Sequence, residues 1–252
     1  MKIIITGAGS GIGKSLVENL VEAGHHVFVT DYALDAVNRL VDSLQPQYPN
    51  ISGFKLDVTD KKDLEQLRQK AQQESFDVLI NNAGLQHVER IEDFPMYHWH
   101  KIIDVMLMGS AMCIQAVLPA MKQQNFGRIV NIGSVHSLVA SAYKSAYVSA
   151  KHGLLGLAKT VALEMAEYDI TINTVCPGYV DTPMVRDQIS QQAQVHNISE
   201  DQVIHDVMLK NMPKKTFVSV QELAAAVAFF MDKNNKNTTA QYLAIDGGWT
   251  AQ

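Results

Sequence analysis

The sequence predicts an α/β protein, a doubly wound parallel sheet of seven strands with helices on both faces and a helical insertion late in the chain. Three observations predict it. Short β-rich runs alternate with longer stretches whose apolar residues recur three and four apart, the pattern of strand–helix–strand crossovers. Several of the runs are apolar almost throughout, as strands covered on both faces must be. Glycines also crowd the turn after the first run, in "TGAGSGIG" (6–13).

In chain order, strands are expected at 2–6, 26–31, 53–58, 77–82, 127–134, 170–178 and 242–248. The first helical stretch, "KSLVENLVEAG", keeps its apolar positions to one side and ends at Gly24. "MGSAMCIQAVLPAM" is apolar and rich in small residues nearly all round, unlike a helix with one solvated face. Residues 183–212 contain no strand and interrupt the alternation. Pro183 and Pro213 bracket two helical patterns there, and Ser199, followed by Glu200 and Asp201, is placed to start the second. A polar loop, "DKNNKNTTAQ", precedes the last strand, and no internal repeat is present.

A chain of 252 residues suits one domain, 1–252, with a large core. At 47% hydrophobic and 19% charged, it has the composition of a soluble globular protein. A net charge of −5 leaves no basic footprint for nucleic acid or an anionic membrane. Cys113 and Cys176 form no disulfide framework, which points to a reducing, cytoplasmic location, and each thiol is read as a small buried hydrophobe. "KIIITGAGS" turns polar too early for a signal core, and no window reaches the ~18 apolar residues of a membrane span.

The glycine loop reads two ways. Ala8 to Ser15 nearly fits the triphosphate loop G-x-x-x-x-G-K-S/T, with Ala8 in place of the first glycine. Gly7, Gly11 and Gly13 instead suit a dinucleotide loop that aims a helix N-terminus at a pyrophosphate. Asp31, at the end of "VFVTD", suits either a ribose or a magnesium ion. Residues 131–151 decide. Tyr147 and Lys151 stand four apart, so one helix face brings an ammonium near a phenol and is expected to lower its pKa. Ser134 ends the preceding strand, placed to hydrogen-bond a substrate oxygen. Carbonyl reduction calls for such a trio; phosphoryl transfer does not.

With T-G-x-x-x-G-I-G at Thr6–Gly13, N-N-A-G at Asn81–Gly84, Tyr147-x-x-x-Lys151, Ser134 and "PGYVDTP", the chain resembles the short-chain dehydrogenases/reductases over essentially its whole length. The resemblance implies a Rossmann-like domain, catalysis by Ser134, Tyr147 and Lys151, a nicotinamide cofactor and a homotetramer. Cofactor contacts are expected at Gly7, Ser10, Gly11, Ile12, Gly13, Asp31, Asp57, Val58, Asn81, Ala83, Gly84, Tyr147, Lys151, Pro177, Val180 and Thr182. Asp31 favours NAD, because a carboxylate that binds the ribose hydroxyls repels a 2′-phosphate and no arginine stands nearby. No metal site is read.

Within the family, "GLQHV", "SVHSLVAS" and "KSAYVSAKHG" are similar to the branch that acts on D-3-hydroxybutyrate. That likeness implies substrate contacts from Gln86, Ser134, His136, Lys144, Tyr147, Gln188 and Trp249, with residues 183–212 as a lid. Two departures stand out. Met106 occupies the position of an asparagine that many members use to hold a water linking the lysine to solvent, though a backbone carbonyl could still hold it. Tyr179 replaces a usual tryptophan. A sugar, a diol and a 3-oxoacyl thioester stay open as substrates, as does a catalytically weak binding protein of the same fold.

Overall fold

Ile3, Ile4 and Ile5 are each fully buried, and they face opposite sides of one sheet. They belong to β1 (Lys2–Ile5), followed by β2 (His26–Asp31), β3 (Ile51–Lys55), β4 (Val78–Asn81), β5 (Gly127–Ile132), β6 (Ile170–Pro177) and β7 (Tyr242–Ile245). The fold is given by a computed structural model, which describes residues 1–182, 185–186, 189, 193 and 198–251. All seven strands are parallel, in the order β3-β2-β1-β4-β5-β6-β7. The chain therefore winds outward from β1 in one direction and then, from β4, in the other. This Rossmann-like order leaves a crevice at the carboxyl ends of β1 and β4, where ligands of such sheets bind.

The helices that lie wholly among the described residues are α1 (Gly11–Glu22), α2 (Leu34–Leu44), α3 (Lys61–Glu74), α4 (Met96–Ile103), α5 (Gly109–Gln123), α6 (Ser145–Glu164), α7 (Glu200–Gln202) and α8 (Val220–Met231). Period-two geometry sorts the strand residues between two layers. Ile3, Ile5, Val29, Ile80 and Val130 pack with Leu16 of α1, Val37 of α2 and Leu223 of α8. Ile4, Phe28, Leu79 and Ile129 pack on the other face with Leu67 of α3, Val117 of α5 and Ala158 of α6. Sequential apolar residues are thus buried on both faces, which is why the runs carry so few polar positions.

Local differences from the sequence expectation have physical causes. The third strand runs over Ile51–Lys55 rather than 53–58, because its register with β2 ends where Lys55 pairs with Asp31, the last residue of that strand, and only the Leu56 amide still reaches across, to the Asp31 carbonyl at 2.9 Å. The last strand stops at Ile245, before the turn made by Gly247 and Gly248, with φ of 60° and 90°. Helices α4 and α5 are joined by a π turn at Asp104–Met108, so Met96–Gln123 is one stretch of 28 residues. With a mean hydropathy of 1.8 over its best window, this stretch is long and apolar enough to cross a membrane by length and composition, correcting the expectation that no segment is. Here it packs on α3 and α6.

In the insertion, Ser199 caps α7 through a reciprocal pair with Gln202, as its place before two acidic residues suggests, and a π turn at Val203–Met208 follows. Ile189, Val203 and Met208 form a small core there with Tyr179, Ile204 and Phe217. Pro183 and Gln188 lie outside the described residues.

Candidate active site

The turn from β1 to α1 needs its glycines. Gly7 has φ +61°, and a Cβ there would stand 2.7 Å from the Ala83 Cα. A Cβ on Gly13 would stand 2.4 Å from the Gly7 carbonyl oxygen. The sequence reading gave Asn82 no role, yet its Nδ2 donates to the Thr6 and Gly7 carbonyls, at 3.0 and 2.9 Å. The Thr6 hydroxyl in turn accepts the amides of Asn82 and Ala83. The loop is thereby pinned to β4 across the crevice. Whereas Asp60 caps α3 and Ser219 caps α8, Ser10 makes no side-chain cap on α1, whose first turn also lacks an acidic residue. Its amides and the positive end of its dipole stay open to an anion such as a pyrophosphate.

Asp31 ends β2 beside this loop, 7% exposed. Its two oxygens accept the amides of Gly9 and Ala33, each at 3.0 Å, which fixes the carboxylate beside the glycine loop. Tyr32, next to it, is 72% exposed. Asp57 holds Thr59 through one oxygen, at 2.9 Å to the amide and 2.7 Å to the hydroxyl. The Val58 side chain is buried, close against Gly109. Asn81 donates to Asn131 at 2.9 Å, and its buried Oδ1 has no partner among the described residues. Pro177 ends β6 opposite Ile245, Val180 bridges to Val218, and the buried Thr182 starts the insertion with its carbonyl accepting the Val185 and Arg186 amides. Gly84 lies beyond β4, beside Met106. The open helix end, the glycine cradle and the fixed carboxylate together fit a dinucleotide.

Ser134, Tyr147 and Lys151 come together at the carboxyl end of β5. Ser134 caps the short turn Val135–Ser137, and the Ser137 hydroxyl accepts its amide at 3.2 Å, fixing the serine. Tyr147 faces Ser134, whose hydroxyl favours the phenolate. The spacing of four places Lys151 below the phenol ring, with Nζ 5.7 Å from its centroid. The expected electrostatics are corrected, however. Burial raises the Tyr147 phenol above its ordinary value, against a smaller lowering from Ser134. Lys151 donates instead to the Ile132 carbonyl at 2.6 Å, and burial holds its ammonium down at about 8. The buried Cys176 lies beside Lys151 and Ser137, its thiol raised by burial.

Met106 is buried in the π turn, packed with Phe94, Ile102, Ala146 and Ala150 against Tyr147. The Ser110 hydroxyl donates to the Met106 carbonyl at 2.8 Å, so the backbone group left open by the sequence reading already has a partner.

Four side chains surround the serine and tyrosine. Trp249 stacks on Tyr179 at 6.3 Å and meets His136 edge-on at 5.7 Å. Lys144, at the start of α6, sits 5.9 Å from the Tyr179 ring, and burial lowers its pKa. His136 is 5% exposed, and burial, followed by the charges of Lys144 and His152, holds its imidazole down at about 4. Both ring nitrogens are engaged, Nδ1 with Ser134 Oγ at 3.3 Å and Nε2 with Ser141 Oγ at 2.6 Å. The ring face, rather than a free nitrogen, is what His136 offers a ligand. Gln86 is exposed on the segment after β4 and makes no hydrogen bond to the described residues. Gln188 lies outside them.

This crevice, with its phosphate cradle and Ser–Tyr–Lys trio, defines a class of oxidoreductase. The short chain dehydrogenase family profile matches residues 1–193, and the chain belongs to that family. It is 42% identical to the D-beta-hydroxybutyrate dehydrogenase of Rhizobium meliloti, over 99% of this chain and 98% of that one. It is 36% identical to the enzyme of the same name from Cupriavidus necator, over 99% and 97%. Among solved structures, ElxO with NADP bound is similar with a TM-score of 0.89 and 29% identity, covering 100% of this chain and 99% of that one.

Proposed function

We propose that this short-chain dehydrogenase interconverts D-3-hydroxybutyrate and acetoacetate with NAD, using Tyr147 as general acid/base. The observation that carries the reading is the half-buried Lys144 ammonium beside Tyr179, which stacks on Trp249, and near His136, whose ring meets Ser134 and Tyr147. A neutral sugar or diol needs no cation there, whereas a short 3-hydroxy acid places its carboxylate a few bonds from the reacting hydroxyl. The two hydroxybutyrate dehydrogenases at 42% and 36% identity support the same substrate.

In this reading the amides of Gly7, Ser10, Gly11, Ile12 and Gly13 hold the pyrophosphate and Asp31 holds the adenosine ribose. Asp57 and Val58 border the adenine, and Asn81, Ala83 and Gly84 the ribose region. Lys151 and Tyr147 bind the nicotinamide ribose, and Pro177, Val180 and Thr182 border its amide. NAD, when bound, supplies the hydride acceptor. Ser134 holds the substrate oxygen, Tyr147 takes its proton, and Lys144 anchors the carboxylate within walls set by His136, Tyr179 and Trp249. Gln86 and Gln188 add to the carboxylate contacts, with residues 183–212 acting as a lid. Closure would exclude water from the hydride path.

Absorbance at the NADH band, with NAD and D-3-hydroxybutyrate, tests the reading. Turnover is expected. No turnover with it, but activity on a 3-oxoacyl thioester with NADPH, would replace the substrate and the cofactor together. The homotetramer is part of the same proposal, and light scattering near the 27.9 kDa monomer mass at micromolar concentration would remove it.

A further inference from the structure

Three successive backbone amides, those of Gly248, Trp249 and Thr250, all donate to one residue, Asp246. Its Oδ1 accepts the Gly248 amide at 3.0 Å, and its Oδ2 accepts the Thr250 amide at 2.9 Å and the Thr250 hydroxyl at 2.6 Å. The Asp246 carbonyl accepts the Trp249 amide at 3.2 Å. Asp246 follows the end of β7 and is 7% exposed. Gly247 and Gly248, both at positive φ, wrap the chain around the carboxylate. The turn is also held from outside, where the Gly247 carbonyl accepts the Lys214 amide at 3.1 Å. Trp249 itself packs with Val180, Leu209, Met212 and Val218, and its indole meets Tyr179 and His136.

We propose that Asp246 is a positioning residue: through this turn it holds the Trp249 indole against Tyr179 and His136, and so sets the chain length of the acid that the site accepts. The inference rests on the proposed 3-hydroxy acid substrate and adds what limits its length.

The bonds fix the indole as well as the chain. Trp249 lies between two residues whose amides are tied to one carboxylate, and its own amide is tied to the carbonyl of the same residue. Its backbone is thereby set, and the direction in which its side chain leaves follows from the backbone. A carboxylate suits this place because it only accepts, and its two oxygens can take all three side-chain bonds. Once Lys144 takes the substrate carboxylate and Ser134 the C3 oxygen, what is left of a short 3-hydroxy acid is its alkyl end. The stacked Trp249 and Tyr179 rings are an uncharged surface beside those groups, since Lys144 lies 5.9 Å from Tyr179 and Trp249 meets the His136 ring that touches Ser134. A displaced turn moves this wall and leaves the Ser134, Tyr147 and Lys151 trio where it is.

Two substitutions loosen the turn by different amounts. Asp246→Asn keeps the size of the side chain but leaves one accepting oxygen, and its NH2 then faces an N–H donor. At least one of the ties to Gly248 and Thr250 is lost. Thr250→Val removes only the hydroxyl bond and keeps both amide ties, so it is the milder form of the same change.

Two measurements test the proposal. The first is steady-state kinetics with NAD on D-3-hydroxybutyrate and its six-carbon homologue. Asp246→Asn is expected to raise KM for the four-carbon acid about fivefold, with kcat within about twofold of wild type. It should also narrow the four- to six-carbon ratio of kcat/KM by about fivefold. Thr250→Val should move both quantities the same way and less. In a Trp249→Ala background Asp246→Asn should add less than about twofold, because its route to the substrate is gone. Equal effects with and without Trp249, or an unchanged ratio, would overturn the proposal. If wild type rejects both acids, the substrate reading fails by itself, and the second measurement scores the hold on Trp249. Trp99 and Trp249 are the two tryptophans of the chain, so in Trp99→Phe protein the indole emission is that of Trp249. Asp246→Asn, or Thr250→Val should the former fold poorly, should red-shift this emission and make it easier to quench with acrylamide. Emission and quenching that stay as in Trp99→Phe alone would show that Asp246 does not hold the indole.

Discussion

Lys151 Nζ donates to the Ile132 carbonyl at 2.6 Å, so the ammonium of the Tyr-x-x-x-Lys pair is committed to the end of β5 rather than to the phenol. Burial holds this ammonium at about 8, and in mildly alkaline solution roughly half its charge is gone. The Tyr147 phenol is raised, not lowered, in the free protein. Burial, rather than the neighbouring ammonium, sets the phenol of the free protein.

Tyr147→Phe keeps the ring in its apolar packing and removes the proton. Turnover should fall by roughly 10² or more, while NADH binding, followed by fluorescence, survives. Near-normal kcat in this variant would mean that another group serves as the acid.

Asp31 presents a fixed carboxylate where a 2′-phosphate would lie in the proposed pose. NAD should be preferred over NADP by at least about 10-fold in kcat/KM, roughly 1.4 kcal/mol for one repelled charge. Side-by-side steady-state kinetics decide it, and equal use of both by wild type would refute the assignment.

Met106 packs among apolar side chains, with no polar atom of its own to offer the proton path. Wild type is expected to be active already, and Met106→Asn to raise kcat or leave it unchanged. An inactive wild type rescued by Met106→Asn would point to a repurposed site.

The His136 imidazole predicts how stability depends on pH. An unfolded histidine titrates near 6.5 and the folded one at about 4, so below 6.5 the unfolded chain binds a proton that the folded chain refuses. This contribution is complete above about 6.5 and lost as pH falls towards 4, in all about 3 kcal/mol at 1.36 kcal/mol per unit. Urea midpoints across that window should fall more steeply for wild type than for His136→Asn. Parallel curves would show that the ring is not held neutral.

Residues 183–212 should gain protection from hydrogen exchange when NAD and acetoacetate bind together. Gln188→Ala should raise KM for hydroxybutyrate several-fold and leave NAD binding almost untouched. Identical protection of those peptides in both states would exclude a lid.

The layered sheet was legible because parallel strands covered on both faces must be apolar at consecutive positions, as at Ile3, Ile4 and Ile5. The trio was legible because a spacing of four on α6 has one geometric outcome, and Ser134 ends the neighbouring strand region. Other features depend on three-dimensional choices that no spacing encodes. Whether Lys151 points at the phenol or at Ile132 turns on one rotamer. Ser141 meets His136 only because the chain turns between them, and Asn82 braces the glycine loop from 76 residues away. The span-like length of Met96–Gln123 was missed because Lys101 and Asp104 interrupt its apolar run, while the π turn keeps it continuous.

The two amides on Asp31 bear on any redesign of this enzyme for NADP. The same carboxylate that would repel a 2′-phosphate also braces Gly9 in the phosphate cradle and Ala33 at the entry to α2. A neutral substitution there would remove the repulsion and slacken the cradle in one stroke. The two properties are fused in a single side chain, so a switch of preference would have to come in pairs: one change to admit the phosphate, and a second to restore the lost brace.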